Sequence, residues 1–330
     1  MKAVTYEKYG KPDVLRIDEV DVPAPKDDEV LVEIRAASLN AYDWHFLTAD
    51  IFLIRLMGGG VFKPKYRRLG ADISGRVKKV GKNVTRFKEG DRVFGIARGG
   101  FAEFACAPEN SLSLKPKNLD YSSAAAVPMA AVTALQALRD AGKIQAGNTV
   151  LINGASGGVG TFSIQIAKMF GAEVTAVCST DKVPIAKKLG ADFVIDYVKE
   201  NFSAGKKKYD LIIAANGNRT MKDYRRALNP GGTCVIVGGT LFQLVQAMLG
   251  SAFASKKAGQ KIKLITAKAR AEDLDYLGDI LATGRISPVI DRIYPFDECA
   301  DALRYFGLGH THGKVVLLIK NDKDTKAADL

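Results

Sequence analysis

Two patterns of hydrophobic and polar positions divide the chain. Through the first hundred or so residues, short apolar and β-branched runs are separated by turns rich in Gly, Pro, Asn and Asp. Such runs predict β-strands, and their succession predicts a barrel-like domain. The strands predicted there cover residues 4–6, 15–20, 29–38, 73–80 and 91–96.

From Ser122 the pattern changes to an Ala-rich helix, for which Ser122 or Ser123 can serve as the N-cap. Strands and helices alternate after it, an order that predicts a parallel sheet. The predicted strands are the apolar run that starts at residue 149 and residues 173–178, 193–196, 210–214 and 233–237. The predicted helices are residues 162–170 and 181–190, and a sharp turn is predicted at residues 229–232.

Near its end the chain returns to β-type signals. A strand is predicted at residues 287–294, a short helix at 296–306 and a strand at 314–320. The first domain is the simplest place for these elements. We therefore expect a domain of residues 1–122, completed by residues 287–330, with a second domain of residues 123–286 inserted between its parts. Residues 320–330 are predicted to be a loose charged tail.

The turn within residues 149–160 is the most specific motif: Thr-Val-Leu-Ile-Asn-Gly-Ala-Ser-Gly-Gly-Val-Gly. Gly157 and Gly158 let the backbone approach a pyrophosphate, and Gly160 lets the following helix pack against the strand. The N–H groups at the helix start attract phosphate charge. Ala155 stands where G-x-G-x-x-G has its first glycine. The turn predicts a dinucleotide site built from Ala155, Ser156, Gly157, Gly158, Val159 and Gly160.

The composition is that of a globular protein, with 330 residues, 47% of them hydrophobic and 25% charged. Its apolar runs stop short of the roughly 18 residues that cross a bilayer, and no signal peptide opens it, so we expect a cytoplasmic protein. Four scattered cysteines predict free thiols. The net charge of +12 permits an RNA or membrane-surface partner. No aromatic residues interleave with the lysines, which favours a solvated surface without nucleic acid.

Further motifs follow one another over nearly the whole chain. They include Met1-Lys2-Ala3-Val4, Asp28-Glu29-Val30-Leu31-Val32, Gly90-Asp91-Arg92-Val93, Leu189-Gly190-Ala191-Asp192 and Gly313-Lys314-Val315-Val316. With the glycine turn, they make the chain resemble the medium-chain dehydrogenase/reductase superfamily, specifically its zinc-free, zeta-crystallin-like quinone oxidoreductase branch. The resemblance implies an α/β fold, in which a GroES-like β-rich catalytic domain accompanies a doubly wound Rossmann domain with a parallel sheet.

The zinc-dependent members of that superfamily carry metal ligands in three stretches of the chain. The matching positions here are Asn40, Ala71 and Met129, which supply neither a thiolate nor an imidazole. His310 and His312 are interpreted as loop residues and do not complete a site. We therefore expect no metal. Because an alcohol would then lack a Lewis acid to polarise it, reduction of an electron-poor substrate is the expected reaction.

The residues after the second Rossmann strand distinguish two nicotinamide cofactors. NAD-preferring folds place an acidic side chain there for the ribose 2′-hydroxyl. This chain has Ser179 and Lys182, which suit a 2′-phosphate. The resemblance also implies NADPH, because quinone oxidoreductases hold that phosphate with a lysine and a tyrosine spaced like Lys182 and Tyr197. Asp181 leaves NAD open, since a small backbone shift would bring it to the ribose.

The remaining cofactor contacts rest on the resemblance. It implies that Asn40 and Thr133 lie near the nicotinamide ribose and amide, although an internal helix hydroxyl explains Thr133 equally well. It also implies that the cofactor is lined or reached by Asn216, Gly217, Val237, Gly238 and Lys314.

These features predict zinc-independent hydride transfer from NADPH to a quinone or to the β-carbon of an enone or enal. Tyr42 is the candidate catalytic hydroxyl near the developing oxyanion, unless it only fills the wall of the cleft. Apolar residues in 46–66 and 241–253 suit a hydrophobic acceptor or the interface of a homodimer. Two alternatives remain: a zinc-free alcohol or alkenal dehydrogenase, and a cofactor-binding protein that associates with RNA or a membrane surface.

Overall fold

A computed structural model describes residues 1–50, 55, 60–215, 219–238 and 259–320. The strands in these ranges are β1 (Lys2–Thr5), β2 (Arg16–Glu19), β3 (Glu29–Ser38), β4 (Asp72–Val80), β5 (Arg92–Ile96), β6 (Phe104–Pro108), β7 (Leu112–Leu114), β8 (Thr149–Asn153), β9 (Glu173–Cys178), β10 (Phe193–Asp196), β11 (Tyr209–Ala215), β12 (Leu228–Val237), β13 (Lys261–Ile265), β14 (Ile290–Pro295) and β15 (Lys314–Leu318). The α-helices in the same ranges are α1 (Ala41–Thr48), α2 (Tyr121–Ala125), α3 (Pro128–Leu135), α4 (Gly158–Met169), α5 (Val183–Lys188), α6 (Met221–Ala227), α7 (Ala271–Ala282) and α8 (Cys299–Gly307).

The chain forms two compact units. The first consists of Met1–Met129, Ala269–Gly284 and Pro288–Leu330, and the second of Ala130–Lys268 and Arg285–Ser287. The expected boundaries differ from this division for residues 123–129 and for residues 269–284, which contain α7, because they place both segments in the second domain.

The contacts of α7 explain why it joins the first unit. The Asp275 carboxylate accepts hydrogen bonds from Arg86 at 2.7 Å and from the Ser113 hydroxyl at 2.6 Å. The backbone at Gly278 faces the ring of Phe94. No helix was predicted for this segment, because the residues that α7 contacts are far from it in the sequence.

The first unit is built on a seven-stranded sheet in the order β14-β15-β3-β4-β5-β7, with β6 also paired to β3. The long strand β3 is its centre, and Val30, Val32 and Ile34 on it are fully buried. Strand β15 pairs antiparallel with β3, so the C-terminal elements complete this sheet. The predicted GroES-like, β-rich fold is confirmed. Strands β6 and β7 were missed.

The second unit contains a six-stranded parallel sheet in the order β10-β9-β8-β11-β12-β13. This is the Rossmann strand order, and the direction of winding reverses between β8 and β11. Both strands are apolar and almost fully buried, as expected for a parallel sheet covered on both faces. The predicted Rossmann fold is confirmed, including the exact bounds of β9 and β10. Strand β13 was missed.

The Ala-rich segment differs from its prediction. Its first helix, α2, is capped by Asp120, whose carboxylate accepts the Ser123 N–H at 2.6 Å, so neither Ser122 nor Ser123 is the cap. Pro128 then starts the separate helix α3, because proline has no N–H to continue a preceding helix. The turn predicted at residues 229–232 is an irregularity within β12, where the pairing with β11 jumps from Leu228 to Thr233.

A Gly160→Ala substitution tests the packing of α4 on the glycine turn. A Cβ at Gly160 would lie 2.2 Å from the Gly154 carbonyl oxygen. Because that neighbour is backbone, we expect unfolding in denaturant to show a loss of about 1–3 kcal/mol, despite the higher helix propensity of alanine. Gly205→Ala is the matched control, since its Cβ would meet nothing closer than 3.5 Å. Equal stability of the two variants would contradict this account of Gly160.

Candidate active site

The glycine turn follows β8 at the reversal point of the parallel sheet. Gly154 has a φ of +83°, and a Cβ there would lie 1.9 Å from the carbonyl oxygen of Ala215 at the end of β11. Only glycine fits this position. Ala155 is fully buried and its N–H donates to the Val177 carbonyl at 3.1 Å. Gly154 therefore makes the tight turn that the usual motif assigns to its first glycine, one position earlier than expected.

The outer side of the turn is open where a phosphate would approach. The nearest atom to a Cβ built at Gly157 is 3.8 Å away, and residues 156–159 are only partly buried. Gly157 caps α4 with an extended backbone. The first N–H groups of the helix have no partner inside it, and together with the helix dipole they form a site for an anion. The predicted turn residues thus leave the start of α4 open to an anion.

The residues predicted to select the cofactor meet at the ends of β9 and β10. The N–H of Tyr197 donates to the Cys178 carbonyl, and that of Lys182 to the Ser179 carbonyl, each at 3.0 Å. Lys182 is 7% exposed, whereas Tyr197 is 52% exposed. The Ser179 hydroxyl donates to the carboxylate of Asp181 at 2.5 Å. Asp196, which ends β10, accepts the Thr180 hydroxyl at 2.6 Å, so the structure places hydroxyls, a lysine and two acids at the same edge of the sheet.

Other predicted cofactor residues lie on separate elements of the second unit. Thr133 lies in α3 and is 7% exposed. Val237 ends β12, and Gly238 follows it with a φ of +67° and open space where a Cβ would be. Asn216 and Gly217 fall outside the described residues, as do residues 241–253 and most of 51–59 from the two apolar stretches.

In the first unit, a buried cluster of polar groups surrounds the carboxylate of Asp72. Asp72 is fully buried. Its Oδ2 accepts hydrogen bonds from the Ser38 hydroxyl, the Asn40 amide and the Lys314 ammonium, each at 3.0 Å. Its Oδ1 accepts the Met129 N–H at 2.8 Å, in the first turn of α3. Four donors thus compensate this buried carboxylate for the water that it has lost.

This cluster brings together two predicted cofactor residues, Asn40 and Lys314. The Lys314 Nζ lies 2.5 Å from the Asn40 Oδ1, and the Asn40 amide also donates to the Ser38 carbonyl at 3.3 Å. The sequence analysis missed Asp72. A carboxylate in an otherwise small and apolar run, Gly70-Ala71-Asp72-Ile73, was the available signal, because a charge in such a strand needs a buried partner.

Asp43 is a second buried carboxyl, at the start of α1. It accepts the N–H of Asn40 at 2.9 Å and that of Gly70 at 2.8 Å. Burial raises the pKa of Asp43 to about 7, helped by the charge of Asp72 and opposed by the two N–H donors and by Lys314. Asp43 thus ties α1 to the segment before β4 and titrates near neutral pH.

The candidate catalytic residue, Tyr42, precedes Asp43 in α1. Its ring lies 4.3 Å from that of Phe46, centroid to centroid. Burial, and then the charge of Asp43, raises the pKa of Tyr42, which Arg98 partly offsets. A raised pKa keeps the phenol protonated at neutral pH, so Tyr42 can donate a hydrogen bond to an oxyanion.

The three positions that correspond to zinc ligands do not fit a zinc ion. The amide oxygen of Asn40 already accepts from the ammonium of Lys314, Ala71 has no donor, and the cation of Lys314 would repel a second one. Within the described part of the chain, no three His, Cys, Asp or Glu side chains are grouped to hold a metal. No helix of those residues is long and apolar enough to span a membrane.

Comparison with known proteins matches both units. Residues 26–117 match the alcohol dehydrogenase GroES-like domain, and residues 189–317 match the family described as zinc-binding dehydrogenase. A 2-methylene-furan-3-one reductase of Solanum lycopersicum is 37% identical, over 96% of this chain and 79% of that protein. A chloroplastic NADPH-dependent alkenal/one oxidoreductase of Arabidopsis thaliana is 33% identical, over 96% of this chain and 79% of that protein. The structure of a quinone oxidoreductase from Coxiella burnetii superposes with a TM-score of 0.87 at 29% identity, covering 97% of this chain and 99% of that one.

The titration of Asp43 predicts how stability depends on pH. Because its pKa in the folded protein lies above its unfolded value, the folded state binds the proton more tightly. Its stabilising contribution is therefore fully present below about pH 4 and is lost as pH rises through about 7. We expect the unfolding free energy of the wild type, relative to an Asp43→Asn variant, to fall across this range in denaturant titrations.

Asp21→Asn, which removes an exposed carboxyl, is the control and should leave the pH profile of the wild type in place. A difference between the wild type and Asp43→Asn that does not vary from pH 4 to pH 8 would show that Asp43 does not titrate in this range.

Proposed function

Because the chain belongs to the medium-chain dehydrogenase/reductase superfamily, where it groups with quinone and alkenal/one oxidoreductases, we propose that it transfers a hydride from NADPH to a quinone or to the β-carbon of an enone or enal. The chain is an oxidoreductase with a nicotinamide cofactor. The observation that carries the proposal is the glycine turn at the reversal point of the sheet, open at Gly157 and closed to any side chain at Gly154.

The preference for NADPH rests on the edge formed by β9 and β10. Lys182 and Tyr197 converge on the end of β9 through their backbones. The Ser179 hydroxyl donates to Asp181, the acid that could bond a ribose hydroxyl, so the proposal depends mainly on the charge of Lys182. A lysine beside a serine favours a 2′-phosphate, since a phosphate offers a full charge and several acceptor oxygens.

Zinc-independence rests on the buried cluster of the first unit. Asn40 and Lys314 bond each other and Asp72, which leaves these groups unavailable to a metal. The cofactor supplies the hydride. The protein binds and orients the reactants and excludes water from them. Tyr42 is the proposed donor to the oxyanion of the reduced acceptor, since its raised pKa keeps its proton in place. An activated acceptor needs no Lewis acid beyond such a donor.

Three further predictions concern the acceptor, the oligomeric state and the cellular location of the enzyme. A small hydrophobic acceptor, a homodimer and a cytoplasmic location stay predictions. The apolar residues 241–253 on which the dimer depended lie outside the described residues, and one relative is named as chloroplastic.

Activity is tested by following NADPH oxidation with a panel of quinones, enones and enals, and NADP⁺ reduction with the matching saturated alcohols. We expect turnover with acceptors that carry an activated double bond or a quinone and little with alcohols, before and after exhaustive chelation. Tyr42→Phe should lower kcat by about 10- to 100-fold, the size of a lost charge-assisted hydrogen bond. Turnover of alcohols alone, or activity that chelation abolishes and zinc restores, would contradict the proposal.

The cofactor preference is tested by Lys182→Ala. Loss of a charge-assisted contact should weaken NADPH binding by about 10- to 100-fold and leave NADH binding within about twofold, as measured by fluorescence titration. Lys187→Ala removes an exposed lysine of α5 and is the matched control. Equal losses for the two cofactors would overturn the assignment of Lys182 to the 2′-phosphate.

A further inference from the structure

A second buried cluster of charges lies in the first unit, on strand β3. Glu33 and Arg35 are 6% and 3% exposed. The Glu33 carboxylate contacts three cations, with N–O distances of 3.3 Å to Arg35, 3.3 Å to Lys78 and 3.2 Å to Lys320. None of these residues takes part in the polar cluster around Asp72 or in the glycine turn.

The cluster carries more positive charge than its one acid can balance. Burial by itself would raise the pKa of Glu33, but Lys320, Arg35 and Lys78 outweigh it and hold the pKa below its ordinary value. Glu33 is therefore ionised at neutral pH. With three cations around one carboxylate, the group has a net charge of +2 in a partly buried setting, where charge is poorly screened.

The guanidinium of Arg35 is also short of hydrogen bonds. Its Nε and Nη1 are buried and have no partner, and its contact with Glu33 uses Nη2 alone. Buried polar nitrogens are nearly always satisfied, and leaving them unpaired is costly. The cluster thus lacks hydrogen-bond acceptors beside Arg35, where it also has excess positive charge.

We propose that a small oxyanion, a phosphate or a carboxylate group of a metabolite, binds at Arg35 between Lys78 and Lys320. An oxyanion offers only acceptors, and it would satisfy the Arg35 nitrogens and lower the net charge together. Neutral water would supply acceptors but leave the charge unbalanced. The side chains of Lys78 and Lys320 are each 43% exposed, so an anion can reach the cluster from solvent beside these two cations.

The site is tested by titration calorimetry of the full chain with inorganic phosphate and with succinate, at constant ionic strength. We expect at least one of the two anions to bind. The anion that binds more tightly shows whether the site prefers a phosphate or a carboxylate. Arg35→Gln should weaken this binding by at least about tenfold, the size of a lost charge-assisted contact. Lys182→Ala should still bind the anion. This result would distinguish the site from the proposed cofactor site, so the test does not depend on the proposed function.

Because Arg35 is buried, its variant can fail to fold, so a second variant decides the question independently. Lys320→Ala changes a half-exposed side chain and should weaken binding several-fold. Lys79→Ala is the matched control, because Lys79 neighbours Lys78 on β4 and is not among the three cations that contact Glu33. Failure of both anions to bind the wild type, or equal binding by Lys320→Ala and Lys79→Ala, would overturn the proposal.

Discussion

The first unit depends on the hydrogen bonds that surround the carboxylate of Asp72. A buried carboxylate is stable only when charge and donors compensate for lost water, and here Lys314 supplies the charge while Ser38, Asn40 and Met129 supply further donors. These partners come from β3, β15, the start of α1 and the start of α3. One side chain thus bonds to partners from four segments of the first unit.

The second unit depends on a steric constraint instead. At Gly154 and Gly160 the backbones of β8, β11 and α4 approach too closely for any Cβ, so the sequence can change there only if the strand and helix separate. That close approach directs the start of α4 toward the space beyond the strand ends, where the first N–H groups of the helix are left for a ligand. Packing and binding at this turn have the same cause, the absence of side chains.

The parts that could be predicted from the sequence are those with local causes. The Rossmann turn, β9 and β10 follow from apolar runs and glycines that are neighbours in the chain. The contact between Lys314 and Asp72 joins residues 242 positions apart, and no local pattern reveals it. Helix α7 was missed because its partners Arg86 and Ser113 lie 189 and 162 residues away. The cap of α2 was placed at a serine because Asp120 and Ser122 have similar capping propensity, and only the backbone geometry separates them.

The cluster around Asp72 also restricts what Asn40 can do. Its two amide hydrogens are used by Asp72 and by the Ser38 carbonyl, and its oxygen accepts from Lys314. An amide oxygen has two lone pairs, so one acceptor position remains and no donor does. Any further partner of Asn40 must therefore donate a hydrogen bond, as a primary amide or a hydroxyl can. A zinc ion bound at the Asn40 oxygen would lie next to the ammonium of Lys314. The two positive charges would repel each other. The bonds among Asp72, Asn40 and Lys314 thus limit which further partners Asn40 can accept.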